Sequence, residues 1–292
     1  MENRITVFVP TYNRAKLLPK LLSSLNEQDY KQFELLVVDD GSTDNTKELI
    51  EQWILKNAFK INYVYQENSG KHVAYNKAIS RVCTELFLEL DSDDYLTDDA
   101  LSTIIYTWDT KCNKDRIANI QYLCKYKDDR IIGTKFPKTI SNNYEIRQVD
   151  KVKGDKGIVY VSARLKEFTL PYFKNESVVY SILHNRVSRK YEVYCLNKAL
   201  KVVEYLDSGI SITNRTKKRP RYLTMMLRYN EFNYFDITLG KYIHYNSKYV
   251  KNALMANKTI KEIFNNAINR KGIFVLSFVH GYLAYLAKRI KK

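Results

Sequence analysis

Leu86-Phe87-Leu88-Glu89-Leu90-Asp91-Ser92-Asp93-Asp94 is a short apolar run that stops abruptly in three carboxylates spread over four positions. Leu86 to Leu90 is too short for a buried helix and too apolar for a loop. It reads as an interior strand, with the acids placed where that strand leaves its sheet. Ionised acids at this spacing repel, and are tolerated if well solvated, if some neutralise through a pKa shift, or if a cation lies between them. Hard oxygen donors suit Mg²⁺ or Mn²⁺, and Mg²⁺ is typically held by one or two carboxylates together with substrate phosphates and water. Two readings follow. One is a divalent metal at Asp91 and Asp93 that carries a phosphorylated substrate; the other is an acidic turn in which Asp93 or Asp94 caps a helix beginning near Thr97.

Upstream, Ile5-Thr6-Val7-Phe8-Val9 is a β-branched and aromatic strand ended by Pro10. Thr11-Tyr12-Asn13-Arg14 turns the chain into an amphipathic helix with Leu17, Leu18, Leu21, Leu22 and Leu25 on one face. Phe33 to Val38 is a second apolar strand that ends in Asp39-Asp40. Gly41 permits the following turn, and Ser42 or Thr43 is placed to cap a helix through Trp53. Ile61 to Tyr65 is a third strand with the exit loop Glu67-Asn68-Ser69-Gly70-Lys71, a helix runs from about His72 to Val82, and another from Asp98 to about Lys111. Strands alternating with helices predict an α/β fold with a doubly wound, mostly parallel sheet. In such sheets ligands bind outside the carboxyl ends of the strands. Residues 10–14, 39–43, 68–71 and 91–94 all fall there, so four polar loops converge on one crevice. No GxGxxG follows the first strand and no GxxxxGK[ST] occurs, which leaves a dinucleotide site and a P-loop unsupported.

Downstream, Asn119 to Tyr126 and Ile131 to Phe136 read as a hairpin around Lys127-Asp128-Asp129-Arg130. Residues 137–157 form a polar excursion placed to cover the crevice. A helix from about Ser177 to Arg189 puts Glu176 at its positive end, where a carboxylate is stabilised. Tyr191 to Leu196 and Leu200 to Leu206 read as two further strands. Asn214 to Arg221, with Arg215, Lys217, Lys218, Arg219 and Arg221, is a basic linker that divides a domain at 1–213 from a helical region at 214–292.

The net charge of +16 is concentrated in the C-terminal third: from Lys201 onward there are 18 Lys and Arg against 5 Asp and Glu. Such asymmetry points to an anionic partner, nucleic acid or anionic lipid. Nucleic acid is disfavoured, because the chain has no recognisable nucleic-acid motif and such binding would leave the acidic crevice unexplained. Gly272 to Ala287 is nearly all apolar and ends in Lys288-Arg289-Ile290-Lys291-Lys292. Shorter than the roughly 20 residues of a spanning helix, it reads as a helix lying in a membrane interface, against the alternative of a buried terminal helix. Tyr222, Met225, Met226, Tyr229, Phe232, Tyr234 and Phe235 are either core packing or part of the same surface. Cys83, Cys112, Cys124 and Cys195 lack paired spacing. With no signal peptide ahead of the first strand, they read as reduced thiols of a cytoplasmic protein. His72, His184, His244 and His280 have neither metal nor triad spacing.

The set Val9-Pro10-Thr11-Tyr12-Asn13-Arg14, Val38-Asp39-Asp40-Gly41-Ser42-Thr43-Asp44, Asn68-Ser69-Gly70-Lys71, Ala74-Tyr75-Asn76-Lys77-Ala78 and Asp91-Ser92-Asp93-Asp94 resembles a family 2 glycosyltransferase with the GT-A fold. Pro171 to Asn214 is similar, more loosely, to the acceptor half of bacterial members that build capsular, exopolysaccharide or teichoic glycans, and beyond about residue 220 the resemblance fades. It implies a nucleotide-sugar half at 1–110 and an acceptor half at 111–213, with a nucleotide-sugar donor, most often a UDP-sugar. Pro10, Thr11 and Asn13 would line the nucleoside pocket, Asp40 would accept the uracil N3 proton, and Asp39 would orient the loop. Asn68, Lys71 and Asn76 would contact the donor, Asp91 the ribose or the metal, and Asp93 the metal. Many relatives carry Arg before the asparagine matched by Asn76. Here that position is Tyr75, with Lys71 as the substitute contact.

Family members invert by one in-line displacement, so one base suffices. A cation at Asp93 would offset charge on the leaving phosphates, and a carboxylate would take the acceptor proton. Glu176 is the assigned base, with Asp150, Asp155 and Asp207 as competitors; its segment reads Asn175-Glu176-Ser177-Val178 where relatives have a Gly-Glu-Lys-Phe type sequence. The implied enzyme adds one sugar to a surface glycan precursor, on a polyprenyl diphosphate carrier at the inner face of the cell membrane. The alternative moves the sugar onto a polyprenyl phosphate itself.

Overall fold

A computed structural model of the protein describes residues 2–173, 176–204, 221–268 and 271–290. The chain packs as two compact units, one of Met1–Thr169 with Lys190–Gly209 and one of Leu170–Arg189 with Ile210–Lys292. Leu170–Arg189 therefore packs with the C-terminal helices, although it precedes the boundary read at residue 214. Most of that basic linker lies outside the described residues.

In the first unit, β1 (Ile5–Thr11), β2 (Phe33–Asp39), β3 (Lys60–Tyr65) and β4 (Leu86–Glu89) are parallel and lie in the order β3-β2-β1-β4. Helices α1 (Leu18–Asn26), α2 (Thr46–Lys56) and α3 (Lys71–Arg81) connect them. Every residue of β1 and β2 is buried, the pattern of strands covered on both faces. On one face Val7 and Val9 meet Leu18, Leu21, Leu22 and Leu25 of α1. On the other, Phe8 stacks on Phe87 at 5.4 Å, and Tyr75 of α3 meets both rings edge-on. Because β2 and β3 lie to one side of β1 and β4 to the other, the winding reverses between β1 and β4. The crevice at their carboxyl ends is the switch point where such sheets bind ligands.

Strand β1 runs through Pro10 instead of ending at it. The Leu90 N–H donates to Phe8 O and the Asp40 N–H to Thr11 O, so even positions of β1 face β4 and odd positions face β2. Pairing with β4 stops at Phe8, and the missing Pro10 N–H falls on the side where no ladder remains.

The second half of the sheet is mixed. Elements β5 (Tyr95–Leu96), α4 (Ala100–Lys111), β6 (Ile117–Lys125), β7 (Ile140–Ser141), β8 (Lys156–Val161), α5 (Ser162–Leu165) and β9 (Glu192–Val202) follow. Strand β8 is antiparallel to both β4 and β6, and β9 is parallel to β6 and antiparallel to β5 and β7. The two strands read around Tyr191–Leu206 are one strand, β9, carried across by register shifts near Leu123; Leu206 lies outside the described residues. The hairpin at Lys127–Arg130 reduces to a turn and a single bridge, Lys125 with Ile131. Both edges of β6 are already taken by β8 and β9, so Gly133, at φ +74°, turns the chain away toward Lys153 and Gly154. The excursion that follows packs Phe136, Ile146 and Val152 on Leu123, Val193 and Cys195 as a small core of its own.

The second unit is helical: α6 (Ser181–Ser188), α7 (Tyr222–Glu231), α8 (Leu239–Met255), α9 (Ile260–Asn266) and α10 (Lys271–Ile290). The helix expected from Ser177 begins four residues later. Tyr249, Val250, Ala253, Ile263 and Phe274 form its core, and buried Glu231 receives Arg186 and Arg189. Tyr229 and Phe232 pack with Tyr245, so part of the aromatic stripe is core, while Tyr234 is exposed. Helix α10 lies against α8 through Phe274, Ser277 and Gly281; a side chain at Gly281 would place its Cβ 2.6 Å from Ser247 O. The helix continues past the apolar stretch read in the sequence, and Gly272–Ile290 is long and apolar enough, by length and composition, to cross a membrane. Its outward face exposes Val275, Leu276, Val279, Leu283, Leu286 and Ile290.

Candidate active site

The loops at the carboxyl ends of β2 and β3 are tied together by two carboxylates. Asp39 Oδ1 accepts the Ser42 N–H at 2.8 Å and its Oδ2 accepts the Tyr63 hydroxyl at 2.6 Å. Asp40 Oδ1 accepts Gln66 Nε2 at 2.7 Å and the Ser69 N–H at 2.8 Å, while Oδ2 accepts the Gly70 N–H at 2.8 Å. Both aspartates are buried. Gly41 lets the two loops touch: at φ +85° it leaves only 2.8 Å between a notional Cβ and Asn68 N.

Ser42 and Thr43 do not cap α2, which begins at Thr46 after Asn45. The Ser42 hydroxyl instead accepts the Asn13 N–H, and Asn13 Oδ1 accepts the Thr43 N–H, both at 2.8 Å. Asn13, at φ +52°, is in the left-handed region that asparagine tolerates better than most residues, and its side chain locks the β1 loop onto the β2 loop. Thr11 is buried with its hydroxyl lacking a hydrogen-bond partner among the described residues, and Pro10 beside it is buried too. Asn68 is exposed on the β3 loop and Asn76 half-buried on α3. Tyr75 is fully buried against Phe8 and Phe87, so the side chain standing where relatives carry Arg belongs to the core.

After β4 the acid cluster is compact. Carboxylate oxygens of Asp91, Asp93 and Asp94 lie within 4.8 Å of one another, on a turn closed by the Asp94 N–H donating to Asp91 O at 2.9 Å. Asp94 does not cap a helix. It is buried and paired with the buried ammonium of Lys201 on β9 at 2.6 Å. Asp91 keeps 43% of its side chain exposed and pairs with Lys71, whose Nζ also lies 2.8 Å from Glu89.

These contacts set the charge states. Burial works to raise Asp91, but the Lys71 and Lys201 ammoniums outweigh it and hold the carboxyl down at about 2. Burial, then the neighbouring Asp91, raises Asp93. Burial pushes Asp94 up to about 6 against the pull of Lys201. Burial would strip the proton from Lys201, yet nearby acidic groups, Asp94 and Asp91 among them, raise it instead. As a donor set the cluster fits a hard divalent cation: all its atoms are carboxylate oxygens, and two of the three carboxylates lie outside the Lys201 pair.

Glu176 belongs to the second unit. Its Oε1 and Oε2 each accept a backbone N–H, from Leu223 and Thr224 in the first turn of α7, both at 3.1 Å. It therefore caps α7, a helix distant in sequence from the one it was expected to precede. Asp150 and Asp155 lie in the first unit, and Asp207 is outside the described residues. Lys201, Glu89 and Gln66 were not singled out in the sequence. The available signal for Lys201 was one lysine in the apolar run Leu200-Lys201-Val202-Val203, which a buried strand accommodates only if the charge is paired.

A model of the family described as Glycosyl transferase family 2 matches residues 6–189. The GalNAc(5)-diNAcBac-PP-undecaprenol beta-1,3-glucosyltransferase of Campylobacter jejuni is 28% identical over 208 residues, 68% of this chain and 64% of its own length. The poly(ribitol-phosphate) beta-N-acetylglucosaminyltransferase TarS of Staphylococcus aureus is 37% identical over 100 residues, 34% of this chain and 18% of its own. The chain thus spans less than two thirds of the length of these curated relatives. Among solved structures, S. aureus TarS 1-349 in complex with UDP-GlcNAc superposes with a TM-score of 0.65 at 19% identity, covering 99% of this chain and 92% of that one. The mannosyltransferase PcManGT of Pyrobaculum calidifontis, in complex with GDP-Man and Mn²⁺, gives 0.59 at 15% identity, covering 99% and 88%. These likenesses give the GT-A fold, and the family match extends over well more than half of the chain: the protein belongs to glycosyl transferase family 2.

Proposed function

We propose that the protein inverts a sugar from a UDP-sugar onto a hydroxyl of a cell-surface glycan precursor, working as a peripheral protein at the cytoplasmic face of an anionic membrane. The observation that carries this reading is the pair Asp91 and Asp93 at the switch point, with Lys71 on Asp91 and the hydrogen-bonded loops of Asp40 and Ser69 at the same end of the sheet. The relatives support the choice of substrates, one by a name that places its acceptor on PP-undecaprenol and one by its complexes with UDP and UDP-GlcNAc.

In this reading Pro10, Thr11 and Asn13 flank the nucleoside, and the buried Thr11 hydroxyl gains the partner it lacks among the described residues. Asp40 accepts the uracil N3 proton. An ionised carboxylate has about four acceptor positions, and three are used by the protein. Asn68 and Asn76 complete the donor contacts, and Lys71 places an ammonium beside the diphosphate. Mg²⁺ or Mn²⁺ held by Asp91 and Asp93 would supply the positive charge that stabilises the departing diphosphate. Glu176 takes the acceptor proton, a role carried over from the resemblance and additional to its capping of α7.

The acceptor side suits a lipid-linked glycan. The outward face of α10 is apolar from Val275 to Ile290, the region is strongly basic, and the opposite face of the helix is already occupied by α8. A helix so placed lies along a bilayer surface, with Lys288 and Arg289 toward anionic headgroups.

Thermal unfolding in UDP with Mn²⁺ is the first check. At ligand concentrations near 100 times Kd the wild type gains about 2.7 kcal/mol of apparent stability, whereas Asp93→Asn gains almost none and loses sugar transfer by about 100-fold or more; equal shifts in the two proteins contradict the metal assignment. For the base, Glu176→Gln lowers kcat by about 100-fold with folding nearly intact. A lowered melting temperature with kcat within about tenfold of wild type would mean that Glu176 is a helix cap alone. In flotation at low salt, the protein rises with vesicles containing anionic lipid and stays behind with neutral ones; absence from both excludes the membrane reading.

A further inference from the structure

The acid cluster offers three carboxylates whose oxygens lie within 4.8 Å of one another, more than the one or two that usually hold Mg²⁺ alongside substrate phosphates and water. One of the three is already engaged on its buried side. Asp94 is 5% exposed and its Oδ2 lies 2.6 Å from Nζ of Lys201, itself 9% exposed. Lys201 comes from β9, more than a hundred residues along the chain, and is fixed on both sides: it pairs in register with Leu96 just beyond the acid turn and with Cys124 on β6. The Thr97 N–H donates to Leu200 O at 3.0 Å and completes the clamp on the exit of the turn. Asp91 by contrast remains substantially exposed.

We infer that Lys201 is a positioning residue of the metal site: by binding Asp94 on the buried side of the turn, it limits the cation to Asp91 and Asp93 and keeps coordination positions open for the donor diphosphate. The inference rests on the metal reading above and adds what sets the ligand number. Burial of the pair makes the arrangement obligatory, since either partner left alone would be an uncompensated charge in the core. A cation binding Asp94 through Oδ2 would have to displace Lys201. Lys201 touches neither substrate nor metal. It acts through Asp94, by holding the turn and by adding a fixed positive charge beneath it.

Mn²⁺ titration of the full chain by calorimetry, without and with UDP, tests this. In Lys201→Met the released Asp94 joins the cation: affinity for Mn²⁺ alone rises by about tenfold, and affinity for UDP at saturating Mn²⁺ falls by about tenfold. In Asp94→Asn with Lys201→Met the net charge equals that of wild type and no buried charge is left unpaired, so Mn²⁺ affinity returns to within about threefold of wild type. A Lys201→Met protein that loses melting temperature but binds Mn²⁺ and UDP as wild type does makes the pair structural only and overturns the inference. So does a double variant that loses Mn²⁺ affinity by more than about tenfold, since Asp94 would then be a ligand. Should Lys201→Met not fold, the double variant still overturns the inference if it loses Mn²⁺ affinity by more than about tenfold. Wild type that binds no Mn²⁺, even with UDP, overturns the metal reading together with this inference, whereas intact wild-type binding with either contrary variant overturns only the inference.

Discussion

The structure depends on compensating negative charge at the end of a buried strand. Two unit charges about 4 Å apart near a protein surface interact with about 4 kcal/mol, and three carboxylates crowd the end of β4 within 4.8 Å. They are met by two lysines from opposite directions in the sequence. Lys71 rises from the first turn of α3 to Asp91 and Glu89, and Lys201 reaches from β9 to Asp94. The parallel half of the sheet supplies the acids and the mixed half one of the two compensating charges, so the cluster joins the halves electrostatically as well as through the β4–β8 and β5–β9 ladders. A loop so compensated from within carries two carboxylates toward the crevice instead of three.

The neighbouring loops show the same economy of polar groups. Asp39 and Asp40 could have been free acids at a strand end, but between them they accept five hydrogen bonds from Ser42, Tyr63, Gln66, Ser69 and Gly70. Asn13 ties the β1 loop to the β2 loop in the same way. The crevice wall is thus organised before any ligand enters, and preorganised donors and acceptors cost nothing to arrange at the moment of reaction. Thr11 is buried with its hydroxyl lacking a partner among the described residues, as Tyr122 and Ser277 are elsewhere, and an unpaired polar atom in the core is unfavourable.

The parallel half of the fold was legible because its signals are local. Apolar runs of strand length, helices with leucine on one face and acids at strand ends all report on residues within a few positions of one another. The polar loops that follow β1 to β4 were placed at the strands' carboxyl ends for the same reason. Misreadings arose where long-range pairing overrode local pattern. Pro10 stayed in β1 because the ladder on its side had already ended, the hairpin after β6 failed because both edges of β6 were taken, and Ser42 gave its hydroxyl to Asn13 in place of α2. Glu176 was placed at a helix start, yet the helix it caps begins some 45 residues later, at Tyr222. Lys201 illustrates the limit most clearly: a lone lysine in an apolar strand signals a buried partner, but nothing local says that the partner is Asp94.

The central claim is that the turn after β4 presents Asp91 and Asp93 to a divalent cation while Lys201 keeps Asp94 away from it. Anomalous diffraction at the manganese edge, from crystals grown with Mn²⁺ and UDP, addresses it most directly. One peak is expected between the carboxylates of Asp91 and Asp93 and the nucleotide diphosphate, with Asp94 still on Lys201. A crevice holding nucleotide but no manganese, or a manganese ion bound by Asp94 with its lysine displaced, would contradict it.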